Sequence, residues 1–146
     1  MFFRALRPLT CVVFSADGKK IACGEKGHSP VISVWNVHSG DLIAQFSGHK
    51  IGVGSLAFSK NLQFFISAGF KHDKQLIIWS MSSLKAVALN KLTNKVNSIS
   101  FSEDDSYFGL LNYFLSSLQS LITFNKKKIN YRSDLRRSSF KMVVHH

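Results

Sequence analysis

Residues 48–80 read GHKIGVGSLAFSKNLQFFISAGFKHDKQLIIWS, and this stretch decides the fold. It opens on Gly48-His49, passes through Phe58-Ser59, and closes on an apolar run, Gln75 to Trp79 (QLIIW), that ends in Trp79. Between these marks lie Val53 to Ser59 (VGSLAFS) and Phe64 to Gly69 (FFISAG), rich in aromatic and aliphatic residues. Runs of this length and composition read as strands, because flat or branched side chains fit a pleated, half-buried surface. Ser80 to Ser83 (SMSS) is a turn, and Leu84 to Leu89 (LKAVAL) is a further strand. Strands this short, joined by a few polar residues each, form an antiparallel meander, since parallel neighbours need a much longer crossover.

Outward from this unit the same order recurs. Phe14-Ser15 stands 44 residues before Phe58-Ser59, and Trp35 stands 44 before Trp79. Phe101-Ser102 follows Phe58-Ser59 by 43, and each Trp comes 21 residues after its Phe. The first unit contains Thr10 to Ser15 (TCVVFS), Lys20 to Gly24 (KIACG), Val31 to Trp35 (VISVW) and Asp41 to Phe46 (DLIAQF). Its first turn, Ala16-Asp17-Gly18, uses a Gly that takes a positive φ without a Cβ clash. The third unit has Val96 to Ser102 (VNSISFS), the acidic turn Glu103-Asp104-Asp105-Ser106, and Tyr107-Phe108; where a third Trp is due stands Ile122. A period of roughly 40–45 residues with four strands per unit is the pattern of β-propeller blades. The expectation is an all-β propeller fragment: an N-terminal lead (1–9), two full four-stranded blades (10–47 and 48–90), an incomplete third (91–108), and a non-propeller tail (109–146).

The tail has a different character. Residues 108–124 carry no charge, and their larger apolar side chains fall at 108, 111, 114, 115, 118, 121 and 122, a helical spacing. A helix packed on the blades, or a segment that never orders well, is expected there. A membrane anchor with Lys126, Lys127 and Lys128 as its basic flank is the disfavoured alternative, because the segment is short for a span and diluted by Asn112, Ser116, Ser117, Gln119, Ser120 and Thr123. Residues 125–146 hold seven cations against Asp134, so the +11 net charge is concentrated at this end. No basic–aromatic interleaving accompanies them, which argues for a solvated tail and against a specific nucleic-acid module. Arg136-Arg137-Ser138-Ser139 makes Ser139 a candidate phosphorylation site.

Composition excludes other classes. With 45% hydrophobic and 18% charged residues the chain is not of disordered composition. Cys11 and Cys23, isolated on successive strands, suit reduced buried thiols in a cytosolic or nuclear protein. The first eight residues lack the apolar core of a signal peptide. No G-x-S-x-G, HExxH, P-loop or GxGxxG pattern is present. Glu103-Asp104-Asp105 lacks calcium-loop spacing and reads as a solvated hairpin turn, and His145-His146 reads as a terminus. The expectation is therefore no enzyme, no cofactor and no metal site.

Phe14-Ser15-x-Asp17-Gly18, Gly48-His49 and the unit closing at Trp79 resemble WD40 repeats. The resemblance implies a polar chain of His49, Ser67, Asp73 and Trp79 that stabilises a blade, with Trp35 as the first unit's counterpart. The first unit departs from the pattern, with His28-Ser29 where the Asp is expected. A narrower resemblance, carried by Ala22 to Pro30, Gly48 to Val53, Gly69-x-x-His72-Asp73 and Phe101 to Phe108, is to the mitogen-activated protein kinase-binding WD-repeat scaffolds. It implies protein partners from the c-Jun N-terminal kinase pathway and a cytoplasmic setting, with one branch of the family at spindle poles.

The expected function is thus a protein–protein interaction scaffold. The long connections 25–30 and 70–74 supply the candidate partner-binding residues Lys26, His28, Phe70 and His72. The alternative is a truncated gene product without independent activity, since two and a half blades leave strand edges and apolar faces uncovered.

Overall fold

The computed structural model describes residues 7–92 and 94–112. Its regular elements there are ten strands. The first sheet takes β1 (Leu9–Phe14), β2 (Lys20–Glu25), β3 (Val31–Asn36) and β4 (Leu42–Ser47) in chain order. The second takes β5 (Val53–Phe58), β6 (Phe64–Gly69), β7 (Gln75–Ser80) and β8 (Lys85–Lys91) in the same order, and β9 (Val96–Phe101) pairs with β10 (Phe108–Asn112). Every pairing is antiparallel. Even the register breaks repeat: β1 slips between Leu9 and Cys11 where β5 slips between Val53 and Ser55, and both third strands slip at their Trp.

The Phe-Ser repeat has a local physical cause. Each Ser opens the hairpin between the first two strands of its sheet and staples it with its side chain. Ser15 Oγ donates to Asp17 Oδ1 at 2.5 Å and accepts the Lys20 N–H at 2.9 Å. Ser59 does the same with Asn61 Oδ1 (2.9 Å) and the Phe64 N–H (2.9 Å), and Ser102 with Asp104 Oδ1 (2.7 Å) and the Tyr107 N–H (3.0 Å). The third residue after each Ser has a positive φ: Gly18 at 68°, Leu62 at 57° and Asp105 at 56°. Only the first hairpin meets that demand with glycine, the residue suited to it.

Two apolar layers separate three sheets. One face of the first sheet (Ala22, Ile32, Val34, Ala44, Phe46) packs on Val53, Leu56, Phe58, Phe65, Ile77 and Trp79 of the second. Phe46 lies 5.7 Å from Phe65 and 5.1 Å from Trp79 between ring centroids. The second sheet's other face, including Phe64, Ile66 and Ile78, meets Val96, Ile99, Phe108 and Leu110. β5 and β6 are therefore buried on both sides, which is why they read as near-continuous apolar runs rather than alternating ones.

The third unit extends further than the sequence pattern indicates. The apolar spacing from Phe108 onward fits a helix, but Phe108–Asn112 is a strand, with Phe108 opposite Phe101 and Leu110 opposite Ile99. Phe108 and Leu110 are buried while Leu111 is exposed, a period of two imposed by the β9 edge. The remainder of the apolar segment, 113–124, and the basic tail with Ser139 lie outside the described residues.

Candidate functional site

The strand ends of the first two sheets meet at one end of the molecule, where β2, β4, β6 and β8 finish and β3, β5, β7 and β9 begin. A buried polar chain underlies this end. His49 lies in the β4–β5 connection, Ser67 in mid-β6, Asp73 in the β6–β7 connection and Trp79 on β7. Ser67 pairs with Ile77, so Trp79, two residues on, shares its face. Trp79 Nε1–H donates to Ser67 Oγ at 2.8 Å, Ser67 Oγ lies 2.7 Å from His49 Nε2, and His49 Nδ1 lies 2.8 Å from Asp73 Oδ2. The same Asp73 oxygen accepts the Lys50 N–H at 3.1 Å.

Counting hydrogens assigns the directions. Ser67 Oγ accepts from Trp79, so its own hydrogen is free to go to His49 Nε2. That leaves Nδ1–H to donate to Asp73, the arrangement of a neutral imidazole. Burial pushes the His49 imidazole below its ordinary value and outweighs the opposing pull of Asp73. Glycines make room for the chain: a Cβ at Gly69 would lie 2.7 Å from Asp73 Cγ, and one at Gly48 would lie 3.0 Å from the Trp79 ring. In the first sheet, 44 residues earlier, Cys23 and Ser29 occupy the Ser67 and Asp73 positions, and Trp35 is half-buried. The same set of residue types is not repeated there.

Above this chain the two blades interlock through their connections. Lys26 forms a β-bridge with Gly52. Gly27 N–H donates to the Ile51 carbonyl at 2.9 Å, Ser29 N–H to the Lys50 carbonyl at 3.0 Å, and Phe70 N–H to the Gly52 carbonyl at 3.0 Å. Arg7 donates to the His28 carbonyl from the other side. The structure thus gathers both long connections around residues 49–52. Lys26, His28 and His72 are exposed on the outer surface. Phe70 differs, being half-buried, with its ring over Gly52 and Gly54; a Cβ at Gly52 would lie 2.8 Å from it. The missing side chain at Gly52 leaves the room that the ring occupies.

One residue with a defined role escaped sequence reasoning. Asp105, read as part of a solvated turn, is buried, and its two oxygens accept the Lys60 N–H (2.7 Å) and the Asn61 N–H (2.8 Å) of the neighbouring sheet. Its neighbours Glu103 and Asp104 are exposed, as expected. Nothing local separates Asp105 from them, since its partners are 44 and 45 residues away.

Among the described residues, no group of three or more His, Cys, Asp or Glu side chains is placed to hold a metal ion. No described helix is long and apolar enough to cross a membrane.

Residues 40–80 match the family model for the WD domain, G-beta repeat. Sus scrofa WD repeat-containing protein 62 is 42% identical over 104 residues, covering 71% of this chain and 7% of that protein. Mus musculus mitogen-activated protein kinase-binding protein 1 is 39% identical over 102 residues, covering 70% of this chain and 7% of that protein. Cilia- and flagella-associated protein 52 of Mus musculus is 33% identical over 82 residues, covering 54% of this chain and 13% of that protein. The chain therefore spans a small part of the length of these relatives. The crystal structure of the β-propeller domain of Myceliophteria thermophila Cps50 (Swd1) superposes with a TM-score of 0.65 at 18% identity, covering 75% of this chain and 34% of that one. This likeness shows the β-propeller fold.

Proposed function

We propose that this WD40-repeat chain acts as a protein–protein interaction scaffold whose partners dock on the end of the blades formed by connections 25–30 and 70–74. One observation carries the reading. The interlock of residues 26–29 with 50–52 fixes Lys26 and His28 on a hydrogen-bonded frame shared by two blades. A scaffold that holds exposed polar side chains rigidly reduces the ordering cost of binding. His28 and His72 stand 44 residues apart, so successive blades present the same side chain at the same repeat position. The four buried residues His49, Ser67, Asp73 and Trp79 serve this surface from beneath by stiffening the connection, and Trp35 holds the corresponding strand of the first blade. WD40 propellers are typically non-enzymatic interaction scaffolds, and the WD-repeat match supports protein partners.

The relatives support one class of partner above others. The name of mitogen-activated protein kinase-binding protein 1 supports a partner within a mitogen-activated protein kinase pathway, and components of the c-Jun N-terminal kinase pathway are the first to test. A cytoplasmic, cytoskeleton-associated setting, including the spindle pole, agrees with the cilia- and flagella-associated relative.

Affinity capture from cytosolic extract with the full chain, compared with a Lys26→Ala/His28→Ala/His72→Ala variant of unchanged circular dichroism, tests the reading. Kinase-pathway proteins retained by the parent chain and depleted roughly tenfold with the variant are expected. Equal retention by both chains would show that this end is not the docking surface.

A further inference from the structure

We infer that the same end of the blades docks an acidic protein segment; this rests on the reading above and specifies the partner's chemistry. Charge is sorted by end. Among the described residues there are eleven Lys and Arg side chains, and seven of them stand at the connection end. The β2–β3 connection contributes Lys26, the β4–β5 connection Lys50, and the β6–β7 connection Lys71 and Lys74. Lys91 and Lys95 flank the β8–β9 connection, and Arg7 precedes β1. All seven are exposed.

The carboxylates of this end are turned inward. Glu25 Oε2 accepts the Val31 N–H at 3.3 Å, and buried Asp73 is committed to His49 and the Lys50 N–H. The opposite end has four cations, Lys19, Lys20, Lys60 and Lys85, and five acids: Asp17, Asp41, Glu103, Asp104 and Asp105. There Lys60 pairs with Glu103. Among the described residues one end is therefore strongly positive and the other close to neutral, and a surface of one sign attracts and orients a partner of the other.

The surface favours protein over nucleic acid. Its cations are nearly all lysines, which meet carboxylates as point charges. Exposed Ile51 sits among them, its carbonyl held by the Gly27 N–H, and offers an aliphatic contact. Phe70, the Phe, Tyr or Trp ring in the described connections of this end, is half-buried over Gly52 and Gly54, so it offers no open platform for stacking bases. The fitting occupant is an extended run of Asp and Glu with an aliphatic side chain among them.

The test is fluorescence anisotropy of the full chain with a short labelled peptide of Glu and Asp around one central Leu. Saturable binding that weakens as salt rises is expected. A K26E/K50E/K71E variant should bind at least about tenfold more weakly, while K19E/K20E/K85E at the other end should change binding less than about twofold. Equal losses would reduce the effect to net charge and overturn the proposal. No loss in either would place binding on the basic tail present in every protein tested, with the same consequence. Tighter binding of single-stranded oligothymidylate, lost with the first variant, would make the surface a nucleic-acid site instead. If the peptide fails while the extract partners still depend on Lys26, His28 and His72, the scaffold reading stands and the acidic partner falls.

Discussion

Val12 and Leu56 occupy the same position in successive blades, 44 residues apart, yet Leu56 is 6% exposed and Val12 is 60% exposed. Phe58 and Phe14 repeat the contrast, at 8% and 57%. The first blade covers Leu56 and Phe58, while Val12 and Phe14 carry the same apolar pattern on a face that no described residue covers. Chemistry at the two sites is matched, so the difference in burial sets the energetics.

Leu56→Ala should cost about 2–4 kcal/mol, the transfer energy of the lost methyl groups plus a cavity term. Val12→Ala should cost less than about 1 kcal/mol, because its side chain already meets water. Urea titrations followed by circular dichroism check both. Similar shifts in midpoint would mean that the Val12 face is covered in solution.

Ser67 is the hub of the buried polar chain, accepting from Trp79 and donating to His49. Ser67→Ala leaves the Trp79 N–H and His49 Nε2 without this partner and should cost about 2–4 kcal/mol, since two buried groups lose their hydrogen bonds together. Trp79→Phe removes one donor and leaves the serine–histidine bond, so its polar component should be smaller, about 1–2 kcal/mol. The double variant should cost less than the sum of the singles, as members of one network couple. Strict additivity in unfolding measurements would contradict a shared chain.

The sequence makes one kind of information visible and hides another. Trp35, Trp79 and the three Phe-Ser pairs announce the repeat because the same local geometry demands the same residues each time. His49, Ser67 and Asp73 can be singled out through the resemblance to WD40 repeats, and the need of a buried Trp79 N–H and a buried imidazole N–H for acceptors makes that implication physically sensible. Asp105 could not, because its partners Lys60 and Asn61 come close only when one blade packs on the next. The inward turn of Phe70 depends on Gly52, 18 residues earlier, for the same reason. The β10 strand was hidden because Phe108, Leu111 and the following apolar residues fit a helical spacing equally well until the β9 edge is present.

Stability should fall as the medium becomes mildly acidic. In the folded chain burial holds the His49 imidazole below its ordinary value of 6.5. Below that pH the unfolded chain takes up a proton that the folded chain resists, so the equilibrium moves toward unfolding until His49 itself protonates. The urea midpoint should drop between about pH 7 and pH 5, and His49→Gln should lower stability at neutral pH while flattening that slope. Asp104, held to about 2 chiefly by the Ser106 hydroxyl and then by Ser102, contributes only in stronger acid. An unchanged slope in the His49 variant would assign the pH response to another group.

Both cysteines should resist alkylation while the chain is folded. Burial pushes the Cys11 thiol up to about 11 and raises Cys23 as well. The thiolate is the reactive form, and little of it exists near pH 8 under those conditions. Iodoacetamide should label neither residue appreciably in buffer and both in urea, read by intact mass. Rapid labelling of Cys11 in the folded chain would mean that the β1 edge opens.

The contact between Asp105 and the Lys60–Asn61 backbone joins the third unit to the second, so its loss should be felt at both ends. Asp105→Ala leaves two amide hydrogens without their acceptors and removes a side chain that closes the gap between hairpins. The expected cost is about 1–3 kcal/mol. The Lys60 and Asn61 amides should exchange with deuterium faster in the variant, while the Ser59–Phe64 hairpin bonds, made within one sheet, keep their protection. Asp104→Ala gives the matched comparison: Asp104 is exposed and bonds only within its own turn, to Ser102 and Ser106. It should therefore leave exchange at Lys60 and Asn61 unchanged. Faster exchange there in both variants would show that the turn as a whole, and not the Asp105 carboxylate, secures the second unit.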